Sequence, residues 1–94
     1  MICISITEID KYLEKESFKI NQTLFLNKDI DNSYDDEAIC VKTENGVLCG
    51  YVGNSIDVVA RGTHSAGYIY NCIEDNQKCK ILFITNDCII AEII

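Results

Sequence analysis

Glu44-Asn45-Gly46 stands between two apolar runs, Ala38-Ile39-Cys40-Val41-Lys42 and Val47-Leu48-Cys49-Gly50-Tyr51-Val52. Asn-Gly readily takes the positive φ that a tight antiparallel reversal demands, so the middle of the chain is committed to a β-hairpin. Further strand signals lie on either side of it. Ile2, Ile4 and Ile6 alternate with Cys3, Ser5 and Thr7, the period-2 pattern of a half-buried strand. Thr23-Leu24-Phe25-Leu26 reads as a second strand, and Cys79–Thr85 and Cys88–Ile93 as a closing pair that turns at Asn86-Asp87. Residues 8–19 are charge-rich and irregular, with one helical turn expected around Tyr12.

Two short helices are expected between the hairpin and the closing strands. Asn54 has the place of an N-cap with Asp57 three residues on, Ile56, Val59 and Ala60 share a face, and Gly62 sits where a helix stops. Ser65 caps a second helix through Ile73, with Ile69, Cys72 and Ile73 at i, i+3, i+4 spacing. The order β-β-β-β-α-α-β-β with short connections predicts a mainly β fold: a small six-stranded barrel, SH3- or OB-like, carrying two short helices in one domain over residues 1–94.

Ninety-four residues suffice for one modest core, and 48% hydrophobic content argues against disorder. No apolar run approaches the roughly 20 residues of a membrane span, and Met1-Ile2-Cys3 lacks the basic start of a signal peptide, so a cytoplasmic protein without a membrane partner is expected. Six cysteines (Cys3, Cys40, Cys49, Cys72, Cys79, Cys88) invite a disulfide or zinc reading. However, no C-x-x-C occurs and His64 is the only histidine, so reduced, buried thiols with no metal and no cofactor are expected. Calcium fails on geometry, because an EF-hand loop begun at Asp29 needs glycine at its sixth position and glutamate at its twelfth, where Tyr34 and Cys40 stand. Catalytic chemistry also lacks support: His64 has no triad-type partner nearby in sequence, and paired carboxylates occur only in one acidic loop.

Net charge is −7, and residues 1–50 carry ten acids against five lysines. Nucleic-acid affinity rests largely on lysines and arginines that displace counterions, so a long duplex track is excluded and only a localised grip is compatible.

The segment Asp31-Asn32-Ser33-Tyr34-Asp35-Asp36-Glu37-Ala38-Ile39-Cys40-Val41, followed after the hairpin by Gly50-Tyr51-Val52, resembles the HIRAN family. Its pattern there is D-N-x-Y-D-x-x-A-I-x-V and then G-Y-V, and every named position is occupied. The resemblance extends in element order over residues 2–93 and implies a small barrel. HIRAN members of known activity grip the 3′ end of single-stranded DNA. Carried over, Tyr34 stacks on the terminal base, Asp35 accepts a hydrogen bond from the 3′-hydroxyl, and Tyr51 lines the same site. A carboxylate there selects a free hydroxyl over a terminal phosphate. Tyr12 matches an aromatic of the family's first loop, although Glu14 stands near the usual glycine and Lys11 is the only obvious base.

Each of these residues also has a structural reading. Asp35 could instead accept backbone N–H groups at a turn while Tyr34 covers the barrel's edge, with Asp31 and Asn32 pinning the loop. Tyr51 could belong to the core, and Gly50 could let a ligand or a strand approach the backbone. Arg61-Gly62-Thr63-His64-Ser65-Ala66-Gly67, just before a helix start, could hold one phosphate through Arg61, His64 and free N–H groups, or could simply be a capped helix joined by a glycine loop. Similar Ser65-Ala66-Gly67-Tyr68-Ile69-Tyr70 segments mark the small bacterial or phage-borne relatives.

Two functions from different classes follow. One is a non-catalytic module for single-stranded DNA ends, using Tyr34, Asp35, Tyr51, Tyr12, Arg61 and His64, with a helicase or nuclease as a separate partner. The other is an acidic protein-interaction module or phage-type inhibitor, in which Asp29, Asp31, Asp35, Asp36, Glu37, Glu14 and Glu16 mimic nucleic acid and block a DNA-handling protein. A barrel that keeps the fold without the ligand is the third. The apolar end Ile89-Ile90-Ala91-Glu92-Ile93-Ile94 suggests edge-mediated pairing, leaving monomer or homodimer open.

Overall fold

The computed structural model describes residues 1–94. Six strands form where the alternating and apolar runs lie: β1 (Cys3–Thr7), β2 (Thr23–Lys28), β3 (Ile39–Lys42), β4 (Leu48–Val52), β5 (Gln77–Ile84) and β6 (Ile89–Ile93). All pair antiparallel and close into a barrel in the order β1-β4-β3-β2-β5-β6. The period-2 pattern sends Ile4, Ile6, Leu24, Leu26, Ile39, Val41, Ile81 and Ile89 inward, each with no exposed surface. Burying a side chain of that size contributes about 1.5–3 kcal/mol. Closure leaves β6 paired with β1 on one side and β5 on the other, so Ile89–Ile93 offers no free edge. The expected edge-to-edge route to a dimer is therefore closed, because the barrel has used that edge itself.

The hairpin turn has three residues. Gly46 N–H donates to Thr43 O and Thr43 N–H to Val47 O, both at 2.9 Å, and Gly46 takes φ 81°. Gly50 answers to a different constraint: a Cβ there would lie 2.8 Å from Thr7 O and 2.9 Å from Ile6 Cγ2. The backbone that approaches this glycine is that of β1, not a ligand. Ser5, on the outward face of β1, has no exposed surface because residues 53–65 fold over it. Its Oγ accepts from Ala60 N–H at 3.0 Å and shares a hydrogen bond with Thr63 Oγ1 at 2.8 Å, so the buried hydroxyl is satisfied.

Of the two helices expected, only the second forms. Residues 55–59 make a single turn, with Val58 and Val59 N–H both donating to Ser55 O, and the chain then leaves in loop conformation. Asn54 caps nothing there, since its side chain is directed to Asp35 and Gly67. The second helix, α1 (Ala66–Ile69), is one turn long, with Ser65 as its N-cap. It stops well short of Ile73. Cys72 is exposed while Ile69 and Ile73 are buried, so the three do not share a face. Two 3₁₀ turns, Ile9–Lys11 and Lys15–Ser17, flank Tyr12. No helix is long and apolar enough to cross a membrane.

Candidate functional site

The loop between β2 and β3 is built by its own polar side chains. Asn32 Oδ1 accepts from Tyr34 N–H at 2.9 Å and from Asp35 N–H at 3.0 Å, an Asx turn that sets both residues. Asp35 Oδ1 accepts from Glu37 N–H at 2.9 Å, and Asn54 Nδ2 donates to Asp35 Oδ2 at 3.1 Å. The turn-forming role of Asp35 is thus present. These donors leave lone pairs on a carboxylate that can take several, so the group can still accept from an added hydroxyl. Tyr34 covers no edge: it is 98% exposed. Loop geometry holds its backbone while its ring stands in solvent.

Asp29, at the start of the loop, reaches across to β4. Tyr51 Oη donates to Asp29 Oδ2 at 2.8 Å, and Asn32 Nδ2 approaches the same oxygen at 3.4 Å. That carboxylate, with some help from burial, holds the Tyr51 hydroxyl well above the ordinary tyrosine range. Tyr51 is accordingly half-buried and tethered, neither core nor free. After β1, Glu8 takes a left-handed conformation (φ 60°) that turns the chain into the first 3₁₀ turn and delivers Tyr12 to Tyr51. Their ring centroids lie 6.4 Å apart at 47°, within the range of tilted aromatic pairs.

Tyr12, Tyr34, Asp35 and Tyr51 line one groove of about 620 Å³, together with Glu8, Gly53 and Asn54. Neither lysine nor arginine lines it. Arg61 and His64 lie elsewhere, in an adjacent recess with Tyr68 that meets the groove at Asn54 and Ser55. The His64 ring stacks on Tyr68 at 4.2 Å and 17°. Backbone groups at the helix start are taken: Ala66 N–H donates to Gly53 O, Gly67 N–H to Asn54 Oδ1 and Tyr68 N–H to Ser65 Oγ. The segment 61–67 is therefore a glycine loop leading into a capped helix, and the phosphate site expected from free N–H groups loses those donors; only the side chains of Arg61 and His64 remain.

Two residues organise the groove in a way their sequence context does not announce. Asn54 joins Asp35 and Glu37 to Gly67, and Asp29 anchors Tyr51 across 22 positions. Asn54 follows Gly53 directly after a strand, which fits an N-cap as well as a tether, and Asp29 stands in a run of acids that reads as solvated. Tyr68, exposed beside His64, also went unmarked as a contact, although the Ser65–Tyr70 motif contains it.

Four of the six thiols belong to the scaffold, while Cys72 is exposed and Cys3 half-buried, so the expectation of buried thiols fails at those two positions. All six cysteines are free, and Cys40, Cys49, Cys79 and Cys88 are buried. Burial pushes Cys49 up to about 11 and Cys79 up to about 12, the direction that keeps a thiol protonated and unreactive.

No family model matches this chain, and no curated protein matches it. Among solved structures it is similar to the crystal structure of the HIRAN domain of human HLTF, with 18% identity, 96% of this chain and 69% of that chain covered, and a TM-score of 0.68. The fold is HIRAN-like, a closed six-stranded antiparallel barrel with one short helix.

Proposed function

We propose that this HIRAN-like barrel is a non-catalytic module, one domain over residues 1–94, that binds the 3′-hydroxyl end of single-stranded DNA in the groove of Tyr12, Tyr34, Asp35 and Tyr51. One observation carries this reading: a fully exposed aromatic ring stands next to a carboxylate fixed by Asn54, in a groove without a cation. Such a groove suits a base and a sugar hydroxyl and repels a terminal phosphate. Tyr34 takes the face of the terminal base, Asp35 accepts from the 3′-hydroxyl, and the Tyr12–Tyr51 pair forms the opposite wall. The motif over residues 31–52 supports the same assignment. Chemistry at the end would then come from a separate helicase or nuclease in the cytoplasm.

Fluorescence anisotropy with a short single strand, 3′-hydroxylated against 3′-phosphorylated, tests it. Micromolar binding to the free end alone, lost in Tyr34→Ala and Asp35→Ala, is the expected result; equal binding to both ends overturns it.

A second reading has its own support. The chain carries fifteen acids, yet its only ion pair is Lys11–Glu8 at 2.6 Å, so most of the negative charge is unpartnered. That suits an acidic module that occupies a basic groove on a DNA-handling protein. Charge reversal at Asp31, Asp36 and Glu16, whose side chains neither line the groove nor hydrogen-bond to its residues, separates the two: it weakens docking on a basic protein and leaves or strengthens end binding.

A further inference from the structure

The end groove has two neighbours. Tyr12 connects it to a hollow between the two 3₁₀ turns, where Asp10, Glu14 and Glu16 stand with Lys11 and Lys15. Both lysines are engaged: Lys11 with Glu8, and Lys15 Nζ with Asn86 O at 3.1 Å. A phosphate entering there would meet three carboxylates and cations already spoken for. On the other side, Asn54 and Ser55 connect the groove to the recess of Arg61, His64 and Tyr68.

That recess is differently equipped. Arg61, the sole arginine of the chain, forms no ion pair. His64 is held by the barrel itself, since its N–H donates to Cys3 O at 2.8 Å and it bridges to Ile4. Its ring stacks on that of Tyr68, a residue that remains 61% exposed. An exposed aromatic with one face on His64, in the same recess as an arginine that forms no ion pair, combines a stacking face with a phosphate partner, the two elements from which single-strand sites are built.

Resting on the end-binding reading, we infer that the Arg61–His64–Tyr68 recess is a second nucleotide subsite: a base further along the strand stacks on Tyr68, and a phosphate upstream of the terminal nucleotide meets Arg61. The strand then runs in one direction, with its 3′ end at Asp35 and its 5′ side crossing Asn54 and Ser55 toward α1. Specificity for the end and affinity for the strand are divided between the two sites, which reconciles a cation-free groove with binding of a polyanion.

The test is anisotropy on the full chain with a 3′-hydroxyl strand in which a single uncharged methylphosphonate linkage is walked inward from the end, using wild type, Arg61→Gln and Tyr68→Ala. Both substitutions lie on the surface, and circular dichroism melts confirm the fold of each variant. One internal linkage is expected to weaken wild type about fivefold or more and to leave Arg61→Gln unaffected. Arg61→Gln should lower the slope of log affinity against log salt by about 0.7, and Tyr68→Ala should weaken binding about tenfold. Both variants should keep their preference for 3′-hydroxyl over 3′-phosphate. End-selective binding that neither substitution nor any methylphosphonate alters overturns the subsite and leaves the end groove standing; no binding to either strand by wild type overturns both.

Discussion

Tyr51 Oη donates to Asp29 Oδ2 at 2.8 Å, joining strand β4 to the first residue of the acidic loop. This bond fixes one wall of the groove and ties the loop to the barrel. Tyr51→Phe should therefore cost about 1 kcal/mol in urea unfolding, since a charged acceptor is involved but the pair is only partly shielded. Asp29→Asn should cost a similar amount, because Asn32 and Tyr51 both lean on that carboxylate.

The same bond sets a pH dependence. The Tyr51 hydroxyl is raised in the folded state above its unfolded value of about 10. Stability from it is complete below that unfolded value and is lost as pH rises through the folded one. Cys49 and Cys79 act in the same direction, with folded values of about 11 and about 12 above an unfolded thiol near 8.5. Stability followed by circular dichroism should begin to fall above about pH 8.5, where the thiols of the unfolded chain ionise, and fall further above about pH 10, and ultraviolet titration at the phenolate band should show the Tyr51 ionisation displaced to higher pH, a displacement that Asp29→Asn reduces.

Thiol alkylation at neutral pH should divide the cysteines by burial. Exposed Cys72 should react first and half-buried Cys3 slowly, while Cys40, Cys49, Cys79 and Cys88 should react only after denaturation. Mass spectrometry of the labelled chain checks this order, and early labelling of Cys79 would contradict the barrel interior.

Gly50→Ala should open the seam between β1 and β4. That seam has only two ladder pairs, Ile6 with Val52 and Thr7 with Tyr51, and the added methyl would meet Thr7 O at 2.8 Å. Overpacking of this kind costs about 1–3 kcal/mol. A lowered melting temperature, with faster hydrogen exchange at Ile6 and Thr7, is the expected outcome.

Asn54→Ala should remove the tie between Asp35, Glu37 and Gly67 and cost about 1–3 kcal/mol, mostly from the unsatisfied Gly67 N–H and a less ordered Asp35. Asn54→Asp should be worse, as it places a third carboxylate against Asp35 and Glu37 and withdraws the Nδ2 donor. Urea unfolding gives the stability loss, and 3′-end affinity should fall in parallel for both variants.

What the sequence made legible follows from local physics. Alternation at Ile2, Ile4 and Ile6 and the Asn45-Gly46 turn announced strands, because period and turn chemistry act within a few residues. The single turn at residues 55–59 has the sequence of a longer helix because Asn54 is a residue type that suits an N-cap, and only the fold decides that its amide faces Asp35 and Gly67 instead. The Asx turn at Asn32 was readable from its residue type; the tether from Asp29 to Tyr51 was not, since nothing local to either residue encodes a contact 22 positions away. Likewise, Gly50 signalled a close approach without saying that β1 makes it.

The most direct measurement is a ¹⁵N-¹H correlation titration of the protein with a short 3′-hydroxyl single strand. Binding through the groove predicts saturable shifts concentrated at the backbone amides of Tyr34, Asp35, Tyr51 and Asn54, and their absence with the 3′-phosphorylated strand. Shifts confined to other faces of the barrel, or none at millimolar strand, would contradict it.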